Sequence, residues 1–461
     1  MCPFLFTSSA NSRTELSGLM PCASHPGLGS RQEIHRGNEM FRFVHAADIH
    51  LDSPLRGLSR YESAPKDAIR SACRRAFEKL IDLAIEKEVA FVLLAGDLYD
   101  GDWKDYSTGI FLARQMGRLQ RHGIQVYAVA GNHDAASRVT RALDLPENMK
   151  IFSSRKVETV RPEGLNAAIH GRSFGTRHVD TNLSAGFRPA DRGVFNIGML
   201  HTSLDGREGH GVYAPCSLDD LRSRGYQYWA LGHVHRQEIV SEDPWVVFPG
   251  CIQGRHIREA GPKGCVLVTV ENGRVADVEK ISLDVLRWEL CTVDLTGTDG
   301  MEGIIDCTRK AIGRVLESAE GRPVAMRIWY EGTSDAADAL AAWPGRLENQ
   351  VRAVAAEIAP DEVWVERVVN AAVARRDLNA LSGSDSALGR LLGEIMAGSD
   401  DPDAIDGFHE IVAELRKRIP HDVRGMDSVL DMENSGRMSR IIREARQMLA
   451  GRLLAEGGMA E

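Results

Sequence analysis

Between Met40 and about residue 280, short apolar runs alternate with stretches of helical spacing, and polar clusters of Asp, Asn and His close several of the runs. Runs at 41–47, 91–95, 126–130, 195–200, 228–231 and 246–248 predict strands, and 66–88 and 107–122 repeat apolar positions at helical spacing. Such alternation predicts an α/β layered domain, because each apolar face has to be covered by another element. Residues just past strand carboxyl ends open onto one crevice, whatever their separation in the chain.

Five segments are placed to meet there. They are Asp48 with His50, Asp97 and Asp100 after Gly96, Asn132, His133 and Asp134 after Gly131, His201, and His233 with His235 after Gly232. Carboxylate, amide and imidazole groups in one crevice suit hard or borderline divalent ions such as manganese. A glycine before Asp97, Asn132 and His233 lets the backbone turn so that the next side chain enters the site. Each segment alone has an ordinary reading: a chance pair, a turn, or a strand-end histidine hydrogen-bonded in the core. Five in this order do not share one.

In order, the segments read D-x-H, G-D-x-x-D, G-N-H-D, a lone His and G-H-x-H, and in this the chain resembles the calcineurin-like metallophosphoesterases. More narrowly, 40–55 (MFRFVHAADIHLDSPL), 249–258 (PGCIQGRHIR) and 261–264 (GPKG) resemble the YhaO-type DNA repair exonucleases, relatives of SbcD. Cys251 stands where that group carries Asn. The resemblance is strong over about 40–280 and is one of layout only beyond 285.

The resemblance implies a four-layer-type β-sandwich flanked by helices, with a small α/β cap and C-terminal helices. It implies two divalent metal ions, Mn²⁺ first among manganese, iron and zinc. Asp48, His50, Asp97 and His235 would hold one ion, and Asp97, Asn132, His201 and His233 the other, with Asp97 bridging. A bridging hydroxide would attack phosphorus in line. His133 would stabilise the transition state or protonate the leaving oxygen, and Asp134 would orient it. Asp100 is either a buried structural carboxylate or catalytic; double-strand-break nucleases of archaea and eukaryotes often carry His there. The implied activity is metal-dependent DNA nuclease action in repair. The implied partners are DNA, an SMC-like ATPase of the SbcC/YhaN type and a second copy of the chain. A nucleotide, cyclic nucleotide or phosphoprotein substrate is the alternative within the same chemistry, and a non-catalytic scaffold the alternative outside it.

Around this domain, taken as 40–284, residues 1–39 are rich in Ser, Gly, Pro and Asn and read as disordered, or as preceding a true start at Met40. A strand–helix–strand–helix–strand order over 285–375 reads as the cap. Residues 376–386 read as a linker, and 387–397, 406–419 and 436–454 as amphipathic helices within a 387–461 tail. The last carries an apolar stripe that suits either packing on the chain itself or a docking partner.

The eight cysteines form no CxxC pair and fit buried thiols in a reducing cytoplasm. No apolar run is long enough to span a bilayer. The net charge of -9 argues against coating nucleic acid through overall charge, and leaves local patches open. Two basic groups stand out. Lys66, Arg70, Arg74, Arg75 and Lys79 share a predicted helix and are either phosphate contacts or a solvated face. Arg255, His256 and Arg258 follow the last strand of the site and are candidate substrate-phosphate contacts.

Overall fold

The computed structural model describes residues 40–53, 66–100, 107–136, 146–205, 213–337, 340, 344–373, 386–418 and 435–457. The 1–39 extension, almost all of the 376–386 linker and the side chains of Lys66 and Arg70 lie outside the described residues.

Strands β1 (Met40–Ala46), β2 (Phe91–Ala95), β3 (Gln125–Val129), β4 (Met149–Ile151), β11 (Gly264–Glu271) and β12 (Arg274–Ser282) make one sheet, ordered β12-β11-β1-β2-β3-β4. A second sheet is built from β5 (Glu158–Val160), β6 (Ala167–Arg172), β7 (Phe195–His201), β8 (Tyr228–Gly232), β9 (Glu238–Glu242) and β10 (Trp245–Phe248). Its order is β5-β6-β7-β8-β10-β9. Strands β1, β2 and β3 are mutually parallel, as are β6, β7 and β8, so their carboxyl ends share an edge within each sheet.

Alternate residues of the central strands serve two cores. Phe43, Phe91, Leu93 and Val129 meet Ile169, Ile197, Met199 and Tyr228 between the sheets. Val44, Val92, Leu94 and Val126 point the other way, onto helices α1 (Lys66–Glu86) and α2 (Ser107–Arg121) through Phe77, Leu80, Met116 and Leu119. The second sheet buries Leu200, Trp229, Leu231 and Phe248 under Leu183, Phe187, Leu221 and Tyr226. Burial on both faces is why these strands read as unbroken apolar runs.

Strands β4, β5, β6, β9, β11 and β12 lie outside the expected set. Strands β4, β5, β9 and β12 are at or next to sheet edges, short or largely solvent-facing, and edges impose little apolar pattern. Strand β11 is different: its Cys265–Val270 run is as apolar as β2, and it pairs antiparallel with β1 at the centre of the sheet.

Two short helices, α3 (Asn132–Ala136) and α4 (Leu218–Arg222), follow β3 and precede β8. Beyond them, β13 (Arg287–Asp294), β14 (Val324–Glu331) and β15 (Val363–Asn370) form a parallel sheet. Helices α5 (Gly300–Ser318) and α6 (Pro344–Ile358) cover it, and Val293, Ile304, Ile312, Ile328, Leu347 and Val351 form a core of its own. Trp288, Ala325 and Trp364 on this sheet pack against Ala72 and Cys73 of α1. Helices α7 (Ala387–Ala397), α8 (Phe408–Arg418) and α9 (Ser435–Gly457) follow, and Leu392 of α7 meets Ala450 of α9. Among the described residues no helix is long and apolar enough to cross a membrane.

His45 on β1 is a core histidine. Its Nε2 lies 3.2 Å from the Leu231 carbonyl and must donate there, so Nδ1, 3.0 Å from the Tyr228 hydroxyl, accepts. Burial lowers its pKa from 6.5 to about 3. The unfolded chain therefore binds the proton more readily than the fold does, and stability present above pH 6.5 is lost as pH falls towards 3. The full effect is on the order of 5 kcal/mol. His45→Gln should flatten the fall in melting temperature between pH 7 and pH 5; an unchanged slope would assign the acid sensitivity to other groups.

Candidate metal centre

The five segments meet at the carboxyl ends of β1, β2, β3, β7 and β8. Backbone bonds tie the loops together: Asp48 N donates to Gly96 O at 3.0 Å and His50 N to Asp97 O at 3.0 Å. Asp48, His50, Asp97 and His233 have φ of 51°, 46°, 53° and 102°. For L-residues this conformation costs on the order of 1–3 kcal/mol each, and surrounding structure has to enforce it. Gly96 also has positive φ, as a turn requires. Gly131 and Gly232 answer a different need. A Cβ on Gly131 would lie 2.2 Å from Asp97 Oδ1, and one on Gly232 would lie 2.0 Å from the Ala95 carbonyl. They provide room for a ligating loop rather than a left-handed turn.

Two groups of donors converge. In the first, His50 Nε2 lies 3.3 Å from His235 Nε2 and 3.9 Å from Asp97 Oδ2, and His235 Nε2 lies 3.8 Å from Asp48 Oδ1. In the second, His201 Nε2 lies 3.0 Å from Asn132 Oδ1 and 3.5 Å from Asp97 Oδ2, with the His233 ring centred 5.2 Å from that of His201. Asp97 belongs to both. Asp48, His50 and His235, and again Asp48, Asp97 and His201, are grouped tightly enough to hold an ion.

The polar partners orient these donors. Asp48 accepts from His233 N through both oxygens, at 3.2 and 3.0 Å. Nδ1 of His201 is 2.9 Å from the Ala95 carbonyl and donates to it. Among the described residues the buried His50 Nδ1 has no hydrogen-bond partner, and its other nitrogen faces His235. Burial, with Arg255 and His235 near, holds His50 well below the usual imidazole range and keeps a lone pair available. Burial disfavours the Asp97 anion, but His201 overrides it and holds Asp97 at about 2. Burial raises Asp48, against the opposing pull of His235 and His201. Burial opposes the charged His201 ring, but Asp97 overrides it and raises its pKa to about 9. Oxygen and imidazole donors suit a divalent cation in each group, and a bound ion would displace the His201 proton.

Asp134 does not orient His133. Its buried carboxylate accepts from Tyr99 N at 3.1 Å and Gly131 N at 3.0 Å, closing the loop ahead of α3. Neighbouring residues on a helix point about 100° apart, so consecutive side chains do not face each other. The carboxylate on the His133 ring is Asp100, with Oδ1 3.0 Å from Nδ1. Ser53 Oγ donates to the other Asp100 oxygen at 2.8 Å. The Asp100 hydrogen bond raises the His133 pKa against burial, and His133 in turn lowers that of Asp100. The two readings held open for Asp100 thus converge on one position beside His133.

Among the expected phosphate contacts, Arg255 lies at the site with its guanidinium committed to protein groups: Glu259 Oε1 at 3.0 Å and Ser53 Oγ at 3.4 Å. His256 Nε2 is 3.7 Å from Glu259 Oε1, and Arg258 is exposed. On α1, Arg74 pairs with Asp52 and lies over the Phe111 ring, Lys79 donates to the Asp284 carbonyl, and Arg75 faces solvent. Sequence reading missed Glu259, which adjoins the 249–258 segment but meets His235, far from it in the chain. Nothing local marks that meeting.

The calcineurin-like phosphoesterase family model matches residues 41–237, and a model for the middle domain of metallophosphoesterase YhaO matches 288–373. The chain is 37% identical over 332 residues to the uncharacterized metallophosphoesterase YhaO of Bacillus subtilis, covering 71% of this chain and 80% of that one. It is 25% identical over 288 residues to the DNA double-strand break repair protein Mre11 of Methanopyrus kandleri, covering 56% and 60%. Against the protein of the same name from Haloferax volcanii it is 26% identical over 276 residues, covering 58% and 57%.

Proposed function

This chain belongs to the calcineurin-like metallophosphoesterases, and on that premise we propose that it is a Mn²⁺-dependent DNA nuclease working in DNA repair with an SMC-like ATPase. It is a phosphoester hydrolase; the finer reading rests on the similarity to proteins described as acting in double-strand break repair. The observation that carries the chemistry is the paired donor groups sharing Asp97, with His133 held at their edge by Asp100.

Asp48, His50, Asp97 and His235 would hold one ion, and Asp97, Asn132, His201 and His233 the other. Bound divalent ions would polarise phosphoryl oxygens and ease deprotonation of water. His133 holds a proton: Asp100 accepts from Nδ1 and stabilises the charged ring, so the opposite nitrogen can donate to a departing oxygen. Its side chain is the most open of this set, at 31% exposed, as contact with a substrate demands. The net charge of -9 is no obstacle, since bound cations reverse the local sign.

The test is cleavage of single- and double-stranded DNA with Mn²⁺, alone and with the ATPase. We expect metal-dependent cleavage that chelator removes, and a loss on the order of 10²-fold in His133→Ala. Hydrolysis of a small phosphodiester with none of any DNA form, even with the ATPase, would overturn the DNA reading.

A further inference from the structure

We infer that Glu259, paired with Arg255, is a positioning residue that presents His235 to the metal centre, an inference that rests on the metal-hydrolase reading above. Glu259 is 5% exposed, in a region where an unpaired carboxylate is costly. Its Oε1 lies 2.6 Å from His235 Nδ1 and accepts from Arg255 Nη2 at 3.0 Å, while Oε2 accepts from the Arg255 backbone N at 2.7 Å. Arg255 Nη2 also lies 3.2 Å from Nδ1, but it already donates to Oε1 and the carboxylate contact is the shorter. A carboxylate can only accept, so the His235 proton sits on Nδ1. The lone pair is left on Nε2, which faces His50 and Asp48.

Glu259 comes from a 3-10 turn, Ile257–Glu259, well separated in sequence from the loop that carries His235. The contact therefore fixes ring orientation as well as tautomer, neither of which the backbone around His235 determines alone. Arg255 neutralises the carboxylate and extends the chain of contacts. Its Nη1 donates to Ser53 Oγ at 3.4 Å, and Ser53 donates to Asp100, which holds His133. One buried pair thus braces a ligand of the first donor group and reaches the residue that holds the proton.

The test measures Mn²⁺ binding to the full-length chain by titration calorimetry, with hydrolysis of bis-p-nitrophenyl phosphate at limiting and saturating Mn²⁺. Loss of such an outer carboxylate weakens metal binding by about 10- to 100-fold. That loss is expected in Glu259→Gln, with activity recovering at saturating metal. Glu259→Asp keeps the charge but shortens the reach to Nδ1, so it should weaken binding as well, and it carries the test should the Gln variant not fold. A lowered melting temperature with unchanged Mn²⁺ affinity in either folded variant would make Glu259 merely structural and overturn the inference. No Mn²⁺ uptake by the unaltered chain would overturn the metal-hydrolase reading itself, and the inference with it. Neither readout involves DNA, so failure of the DNA assignment leaves this test intact.

Discussion

Asp97→Asn should abolish metal-dependent phosphodiester hydrolysis, with a loss of at least about 10³-fold in kcat/KM. Asp97 is 1% exposed, and its Oδ2 lies 3.9 Å from His50 Nε2 and 3.5 Å from His201 Nε2, so one carboxylate serves both donor groups. Its Oδ1 accepts from His133 N at 2.9 Å, which ties the strand-β2 loop to the start of α3. An amide keeps the size but carries no charge, and one of its two terminal atoms is a donor. Whichever way the amide turns, both donor groups lose their shared anionic ligand, and its nitrogen either faces both groups or opposes the His133 N–H. Calorimetry should show weakened or absent uptake of divalent metal in a variant whose circular dichroism matches the parent. Full activity and full metal uptake in Asp97→Asn would remove Asp97 from the centre of the site.

Asp284→Ala should cost about 3–5 kcal/mol of folding stability, read as a shift in denaturant midpoint. The Asp284 side chain is 0% exposed and that of Arg287 3%. Arg287 Nε and Nη2 reach the two carboxylate oxygens at 2.9 and 3.2 Å, a two-pronged pair. Arg322 Nε lies 3.5 Å from Oδ1, and both Arg322 and Lys79 donate to the Asp284 carbonyl. Residues from α1, from the segment after β12, from β13 and from the turn before β14 therefore converge on one aspartate, at the junction with the third sheet. Removing the carboxylate leaves the Arg287 charge buried and unpaired, which is the expensive way to break such a pair. The double variant Asp284→Ala with Arg287→Met should recover a large part of the loss, because the buried Arg287 charge is then gone and Arg322 keeps its pair with Glu320. A loss below about 1 kcal/mol in the single variant would mean that water reaches the guanidinium on its own.

The site was legible in sequence to the extent that strands place it. Asp48, Asp97, Asn132, His201 and His233 each stand within three residues of a parallel strand's carboxyl end, so strand periodicity alone brought them together. The partner of His133 was not legible in this way. Asp134 is its neighbour in sequence, yet the α3 backbone turns that carboxylate onto Tyr99 N and Gly131 N, while Asp100 arrives from the β2 loop. Arg255 shows the same limit: a basic residue after a strand suggests phosphate, but a buried glutamate takes its guanidinium. Edge strands such as β5 and β9 escaped notice because solvent on their outer side relaxes the pattern that betrays a strand.

By itself, the sequence determined which chemistry the molecule carries and that its carriers converge. Apolar alternation fixes where strands end, and a parallel sheet brings those ends to one edge. Only the tertiary structure decided which acid serves which base. Side-chain direction past a strand end depends on local φ, as the left-handed Asp48, His50, Asp97 and His233 show, and on which loop lies opposite. Those pairings, Asp100 on His133 and Glu259 on His235, are made across the fold between groups that no periodicity relates.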